Sequence, residues 1–143
     1  MDVHDKQTRS YNMSRIRSKD TKPELIVRSF LHKKGFRFRL HDKKLPGKPD
    51  IVLPKYRTVI FVHGCFWHGH KNCRGFTMPK SRWQYWEPKI FNNTSKDVIH
   101  RRELLRLSWN VIIAWECELK PKKAERTLQS IVDSLLGLNQ NQN

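Results

Sequence analysis

The stretch DIVLPKYRTVIFVHGCFWHGHKNC, residues 50–73, places two apolar runs directly before a segment rich in Cys and His. Short runs of β-branched and aromatic residues predict strands, here DIVL (50–53) and RTVIFVH (57–63). The intervening PKY predicts a turn, so the two strands should pair as a hairpin. That hairpin would bring Asp50 and His63 to the same end of the sheet.

Helical and strand patterns precede the hairpin. The sequence TKPE (21–24) is a capping box, with Thr21 as the N-cap and Glu24 three residues later. Apolar residues then recur at helical spacing, and Gly35 is suited to end this helix. FRFRL (36–40) alternates apolar and basic residues, which predicts a half-buried strand.

Three further elements are predicted after the Cys/His segment. We expect a helix over 95–107, a buried strand at VIIAW (111–115), and a last helix that begins after Pro121 and ends at Gly137. Apolar side chains at helical spacing supply the core positions of the two helices: Val98, Ile99, Leu104 and Leu105 in the first, and Ala124, Leu128, Ile131, Val132 and Leu135 in the last.

The predicted order is α-β-β-β-α-β-α, which is typical of a single α/β domain with a central mixed β-sheet flanked by helices. A chain of 143 residues has the length of one ordinary domain. We divide it into a basic N-terminal arm (1–20), the domain itself (21–137) and a disordered tail (138–143).

The charge of the chain indicates the class of its partner. Lys and Arg number 29 against 13 Asp and Glu, which gives a net charge of +16. Such an excess, accompanied by aromatic residues, favours nucleic acid over the alternative of a merely soluble basic protein. The sequence contains no apolar run long enough for a membrane span and no N-terminal signal pattern, so we predict a cytoplasmic protein without membrane contacts.

The cysteines indicate a metal site. Cys65, His70 and Cys73 follow the spacing C-x4-H-x2-C, and Cys117 comes just after a predicted strand that could bring it beside them. Zinc prefers four N or S ligands in tetrahedral geometry, so these residues predict a closed structural zinc site. The alternative is that the cysteines pack as small apolar residues.

Asp50 is a candidate catalytic residue because it is a carboxylate at the start of an apolar strand in a basic protein. It would repel a phosphate ligand unless it held a divalent cation, and Mg²⁺ accepts one or two carboxylates together with phosphate oxygens. His68 is a candidate general base, since imidazole takes up a proton near neutral pH. Weaker candidates are Glu24, which the capping box already explains, and Asp97, which would complement a helix dipole.

The chain resembles the very-short-patch-repair (Vsr) DNA mismatch endonucleases of bacteria from about residue 2 to residue 117. The motifs that carry the resemblance are DVHDKQTRSYNM, SKDTKPE, LPGKPDIV, VIFVHGCFWHGHKNC and WNVIIAWEC. The resemblance implies a fold similar to that of type II restriction endonucleases. It also implies a monomeric enzyme that nicks DNA 5′ to the T of T·G mismatches, which arise when 5-methylcytosine deaminates.

The resemblance also implies a role for each site residue. Asp50 and the backbone carbonyl of Val62 would bind Mg²⁺, and His68 would act as general base with support from Glu24. His63 and Asp97 would assist around the phosphate and the waters of the metal. Structural zinc would be bound by Cys65, His70, Cys73 and Cys117. An aromatic wedge that enters the DNA from the major groove would be formed by Phe66, Trp67 and Trp86. Met13 would enter the minor groove.

The sequence leaves the partner and target partly open. The resemblance implies a functional link to a cytosine-5 DNA methyltransferase and to mismatch-repair proteins, and a location at the bacterial nucleoid. The bases that flank the mismatch are not specified. Two alternatives share most of these features: a restriction-type or damage-specific endonuclease with the same core, and a zinc-stabilised DNA-binding protein without cleavage activity.

Overall fold

The computed structural model describes residues 20–140. Its regular elements follow the predicted order of one helix, three strands, a helix, a strand and a helix. The elements are α1 (Lys22–Lys33), β1 (Arg39–Leu40), β2 (Ile51–Leu53), β3 (Thr58–His63), α2 (Trp83–Arg106), β4 (Asn110–Trp115) and α3 (Ala124–Gln140), with short 3-10 turns at Pro54–Tyr56 and Glu116–Leu119.

The strands form a mixed sheet in the order β1-β2-β3-β4. β2 and β3 pair antiparallel with Ile51 opposite Ile60, so the predicted hairpin is confirmed. β4 pairs parallel to β3, and this register places His63 opposite Trp115 at the carboxyl ends of both strands. The α/β class and the mixed sheet of the prediction are therefore confirmed.

Helices cover both faces of the sheet. On one face, α1 and α3 pack against alternate strand residues in a large apolar core that includes Leu31, Ile60 and Leu135. On the other face, α2 contributes Leu104 to a much smaller cluster with Val52, Val59 and Trp109. Successive strand residues point to opposite faces, so the hairpin supplies side chains to both clusters.

The capping box at the start of α1 forms, with one difference from the prediction. Thr21 is the N-cap, and its hydroxyl accepts a hydrogen bond from the backbone N–H of Glu24. The Glu24 carboxylate, however, accepts from the backbone N–H of Asp20 at 2.8 Å instead of from Thr21. Glu24 is also only 1% exposed, and burial of a carboxylate is far more than a surface cap requires.

The predicted bounds and core residues of α2 are wrong. The helix begins at Trp83 and contains Pro88, whereas we predicted a start at residue 95. In its first half, Trp86 contacts Trp67 of the Cys/His segment, and Ile90 packs close to Gly69 of that segment. These tertiary contacts stabilise the helix without the regular apolar stripe from which a helix is predicted. The predicted core residues Val98, Ile99 and Leu105 are about half exposed, whereas Leu104 is buried as predicted.

Two other predicted boundaries are also wrong. Only Arg39 and Leu40 of FRFRL form a strand, because Phe36 turns into the large core and packs its ring 5.3 Å from that of Tyr56. α3 continues past Gly137 to Gln140, since glycine in a helix weakens it without ending it. The N-terminal arm with Met13 and residues 141–143 lie outside the described residues.

Within residues 20–140, no helix is both long and apolar enough to span a membrane.

Candidate active site

The four residues of the predicted zinc site come together in the structure. Cys65, His70, Cys73 and Cys117, here called the Cys3His cluster, place one donor atom each within 4.8 Å of one another. His70 Nδ1 faces the sulfur atoms of Cys65 and Cys117 at 3.6 and 3.5 Å. Three sulfurs and one imidazole nitrogen are the donor set of a structural zinc site, so the residues fit the ion.

Local packing supports the Cys3His cluster. A side chain at Gly75 would lie 2.9 Å from Cys65 Cβ, so only glycine lets the chain pass this close to the cluster. The Gly75 N–H donates to Cys73 Sγ at 3.3 Å and lowers the pKa of that thiol. Burial raises the pKa of the Cys65 thiol to about 12. A thiolate at Cys65 therefore requires a cation beside it.

His63 and His68, here called the histidine pair, stack face to face next to the Cys3His cluster. Their ring centroids are 3.7 Å apart and their planes differ by 4°. Burial, followed by the charge of His68, lowers the pKa of His63 to about 4, so this ring is neutral near pH 7. His68 Nδ1 contacts the Asp97 carboxylate of α2 at 2.7 Å. Asp97 therefore fixes the orientation of the His68 ring, and Nε2 is the ring nitrogen that does not make this contact.

An open cleft of about 250 Å³ lies over the histidine pair. It is lined by His63, His68, Gly69, His70, Lys71, Thr94, Asp97, Ile113 and Trp115. Gly69 has a φ of +57°, and a side chain there would lie 3.0 Å from Ile90 of α2. The segment that carries His68 is thus pressed tightly against α2, which keeps the histidine pair in place.

Asp50 lies immediately before the first residue of β2, and its hydrogen-bond partner is the backbone of β3. Its Oδ2 accepts a hydrogen bond of 2.7 Å from the Val62 N–H. Burial, with a further contribution from the Glu24 charge, raises the pKa of Asp50 to about 6, against the lowering by the Val62 N–H. Asp50 and His63 reach the same end of the hairpin, as predicted, but they contact different partners.

Glu24 lies in a separate cluster that the sequence analysis missed. His41 lies between the two carboxylates: Nε2 is 2.8 Å from Glu24, without hydrogen-bond alignment, and Nδ1 is 3.9 Å from Asp50. The His41 backbone N–H also donates to the Asp50 carbonyl. Arg28 and Asp20 complete the cluster through a 2.8 Å ion pair. The signal that could have indicated His41 is its position directly after β1, the short strand that pairs with β2.

The three predicted wedge residues also come together. Phe66, Trp67 and Trp86, here called the aromatic cluster, make pairwise edge-to-face contacts with ring centroids 5.4–5.6 Å apart. Each is half-buried. Asn93 of α2 donates to the Trp67 carbonyl at 3.0 Å and fixes the loop to the helix. Phe66 and Trp67 lie in the same loop as His68 and three members of the Cys3His cluster, whereas Trp86 reaches them from α2.

Comparison with known proteins agrees with these features. Residues 1–74 match the family described as DNA mismatch endonuclease Vsr. The chain is 52% identical over 128 residues to the type II nicking enzyme V.XorIIP of Xanthomonas oryzae, covering 89% of this chain and 93% of that protein. It is 46% identical over 122 residues to the DNA mismatch endonuclease Vsr of Escherichia coli, covering 85% and 78%. With the type II nicking enzyme V.NmeAIP of Neisseria meningitidis, the identity is 45% over 139 residues, covering 94% and 99%.

Proposed function

The chain belongs to the DNA mismatch endonuclease Vsr family, and we propose that it nicks one strand of duplex DNA 5′ to the T of a T·G mismatch. The observation that supports this most directly is the placement of Asp50 beside β3 with the histidine pair. Val62 of β3 donates its backbone N–H to Asp50, and His63 at the end of the same strand stacks on His68, so one strand holds the carboxylate and the histidine pair at the same end of the sheet. A carboxylate and an imidazole placed this way are suited to hydrolysis of a phosphodiester.

Asp50 and the Val62 carbonyl would hold the Mg²⁺ ion. Oxygen donors of this type fit Mg²⁺, which binds through one or two carboxylates and substrate phosphates. In an extended strand the N–H and C=O of one residue face the same side. Since the Val62 N–H donates to Asp50, the Val62 carbonyl is directed to the same side of β3 as Asp50. When bound, the ion would polarise a phosphoryl oxygen and stabilise the departing oxygen.

His68 is suited to be the general base. Its Nδ1 contacts Asp97 at 2.7 Å, which fixes the proton on that nitrogen and leaves Nε2 as the basic atom. His68 Nε2 would take a proton from the water that attacks the phosphorus atom. Asp97, and not Glu24, is the carboxylate that contacts His68, so we assign the support of the base to Asp97. His63 would orient the ring of His68 and border the phosphate.

Glu24 would act through the Asp50 side of the site. It lies on the far side of His41 from Asp50, and its charge raises the pKa of Asp50. Two carboxylates this near to each other favour a bound cation over an empty site. Glu24 therefore supports the Mg²⁺ position and not the base.

The aromatic cluster would recognise the mismatch. Insertion of aromatic or apolar side chains between base steps costs a few kcal/mol of unstacking, and a mispaired step is easier to open. The cluster is half-buried, so it is supported from below while part of it stays accessible. The net charge of +16 would give salt-sensitive affinity for any DNA. Met13 would enter the minor groove.

The remaining assignments complete the proposal. The fold would be that of the restriction endonucleases, and the Cys3His cluster would hold structural zinc. The protein would act as a monomer at the nucleoid in the cytoplasm. A cytosine-5 DNA methyltransferase would create the methylated bases whose deamination yields the T·G substrate, and mismatch-repair proteins would work on the same lesions.

The decisive experiment is a nicking assay with the Asp50→Ala variant. Labelled duplexes would carry a T·G mismatch, a T·A pair or a C·G pair at one position, with Mg²⁺ present. We expect wild type to nick the T·G duplex and Asp50→Ala to lose on the order of 1,000-fold or more in rate while it still binds DNA. Asp133→Ala, which removes an exposed carboxylate on α3, is the charge-matched control and should nick normally.

Each alternative function has its own outcome in this assay. Equal cleavage of mispaired and paired duplexes would replace the mismatch enzyme with a restriction-type endonuclease. Binding without cleavage by wild type, over a range of flanking sequences, would favour a zinc-stabilised DNA-binding protein. Undiminished nicking by Asp50→Ala would contradict the metal assignment.

A further inference from the structure

Four aromatic rings form a continuous series between the Cys3His cluster and the candidate general base. The ring of His70 stacks on Trp115 at 3.9 Å, with planes within 5° of each other. Trp115 meets His63 edge to face at 5.1 Å, and His63 stacks on His68 at 3.7 Å. Trp115 thus touches both a metal donor of the cluster and the histidine pair.

The backbone of Trp115 is fixed independently of these contacts. Trp115 ends β4 and pairs in register with His63 on β3, and Cys117 of the cluster follows two residues later. Its position is therefore set by the parallel ladder, while its side chain lies in the cleft over the histidine pair. A group held this rigidly can impose a position on the rings that it touches.

His63 depends on ring contacts for its orientation. It is 5% exposed, and within residues 20–140 its Nδ1 is buried without a hydrogen-bond partner. A buried imidazole is normally oriented by hydrogen bonds. Here the ring contacts with His68, Trp115 and Phe61 orient His63 in place of a hydrogen bond at Nδ1, so loss of Trp115 would remove one of the contacts that restrict rotation of the His63 ring.

We propose that Trp115 is a positioning residue that sets the orientation of the histidine pair and couples it to the metal cluster through His70. This inference rests on the proposed function for its kinetic consequence, but the coupling itself is a property of the fold. Trp115 touches no reacting atom. It acts by holding His63 against His68, whose Nε2 must be placed within hydrogen-bonding reach of the attacking water.

The kinetic test compares Trp115→Leu with Trp115→Phe. Leu keeps an apolar side chain but removes the aromatic face and part of the volume, so kcat should fall on the order of 10- to 100-fold while KM for the T·G duplex stays within about twofold. Phe keeps a face for His70 and should stay within about threefold of wild-type kcat. Zinc content by elemental analysis and the melting temperature, measured for each variant, separate misplacement of the base from loss of the metal.

Trp109→Leu is the matched control. Trp109 is a buried tryptophan next to β4, where it packs under Arg57 with the guanidinium 4.2 Å from its ring. The same substitution there should destabilise the fold without a selective fall in kcat. A zinc-replete, folded Trp115→Leu enzyme with wild-type kcat would overturn the proposal, and so would an equal fall in kcat for Trp109→Leu.

A second measurement requires neither catalysis nor a variant. Replacing Zn²⁺ with Cd²⁺ in the wild-type protein should shift the NMR signals of the ring carbons and protons of His70, Trp115, His63 and His68. Shifts confined to His70 would show that the rings are not coupled and would overturn the proposal even if Trp115→Leu fails to fold. If wild type nicks no duplex while all four rings shift, the proposed function fails and the positioning role of Trp115 stands.

Discussion

The two faces of the sheet are stabilised in different ways. On the face covered by α1 and α3, thirteen buried residues of the described part of the chain form one apolar core. On the face covered by α2, the buried apolar cluster within residues 20–140 has four members, and much of α2 exposes large apolar side chains such as Trp83 and Phe91. The histidine pair lies on the second side, where the Cys/His segment packs against α2 through Gly69 and Asn93.

The difference shows where a rigid site can be built without a large apolar core. Cys65 is the one fully buried residue among residues 64–75, so apolar burial alone does not fix the conformation of this segment. The conformation is held instead by the Cys3His cluster, by the edge-to-face aromatic contacts and by the contacts with α2. The structural zinc that we propose for the Cys3His cluster would contribute folding free energy directly and would hold such a segment in one conformation.

The largest expected effect comes from removing one member of the Cys3His cluster. Cys117→Ser should release zinc and lower the free energy of unfolding by more than about 4 kcal/mol, because a structural metal and its rigid loop are lost together. Hydrogen exchange would show loss of protection first in residues 64–75. Leu135→Ala on the opposite face should cost about 2–5 kcal/mol as a cavity and retain zinc.

This pair separates the two modes of stabilisation. If Cys117→Ser retains one zinc per chain, or if α1 and α3 lose protection before residues 64–75, the faces are not stabilised independently as we describe. A direct zinc assay and site-resolved hydrogen exchange decide between these outcomes.

A smaller effect concerns Asp50, because burial of its charged carboxylate lowers the free energy of unfolding. Its pKa of about 6 lies above the unfolded value of about 3.9, so the native state holds the proton more tightly. The stabilising contribution is complete below about pH 4 and is lost as the pH rises through 6. Without divalent cations, Asp50→Asn should therefore be more stable than wild type at pH 8, by on the order of 2 kcal/mol, and equal to it near pH 4.

Magnesium provides the control for this prediction. Mg²⁺ should raise the unfolding midpoint of wild type at pH 8 but not that of Asp50→Asn, since the substitution removes the anionic ligand that we propose for the cation. Urea unfolding at several pH values measures both effects. A wild-type advantage at pH 8 without Mg²⁺ would contradict the assigned direction of the pKa shift.

The smallest expected effects come from substituting two glycines, Gly69 in the loop that packs on α2 and Gly137 in α3 on the opposite face. Gly69 has a φ of +57° and faces Ile90 and Thr94, so Gly69→Ala should destabilise by about 1–2 kcal/mol. Gly137 lies in α3, where an added Cβ would meet no described atom within 4 Å, so Gly137→Ala should stabilise by about 0.5–1 kcal/mol. Thermal unfolding of both variants tests the pair, and a stabilising Gly69→Ala would argue against tight packing of the loop on α2.

Much of the architecture could be predicted from local patterns. The capping box at Thr21, the hairpin and the apolar spacing of α3 each depend on neighbouring residues, and the structure contains all three. The start of α2 could not be predicted this way. Its first half is stabilised by contacts with a loop that is itself irregular, and no periodic signal marks such packing.

The sequence by itself determined the order of the elements, the mixed sheet, the excess of positive charge and the residue types that can bind metals. Spacing and composition suffice for these, because they depend on local periodicity and on chemical identity. Only the tertiary structure decided which carboxylate meets which imidazole. Asp97 contacts His68, and His41 stands between Glu24 and Asp50. These pairs come from distant segments whose contacts depend on strand register and on helix packing, and neither is encoded in any short motif.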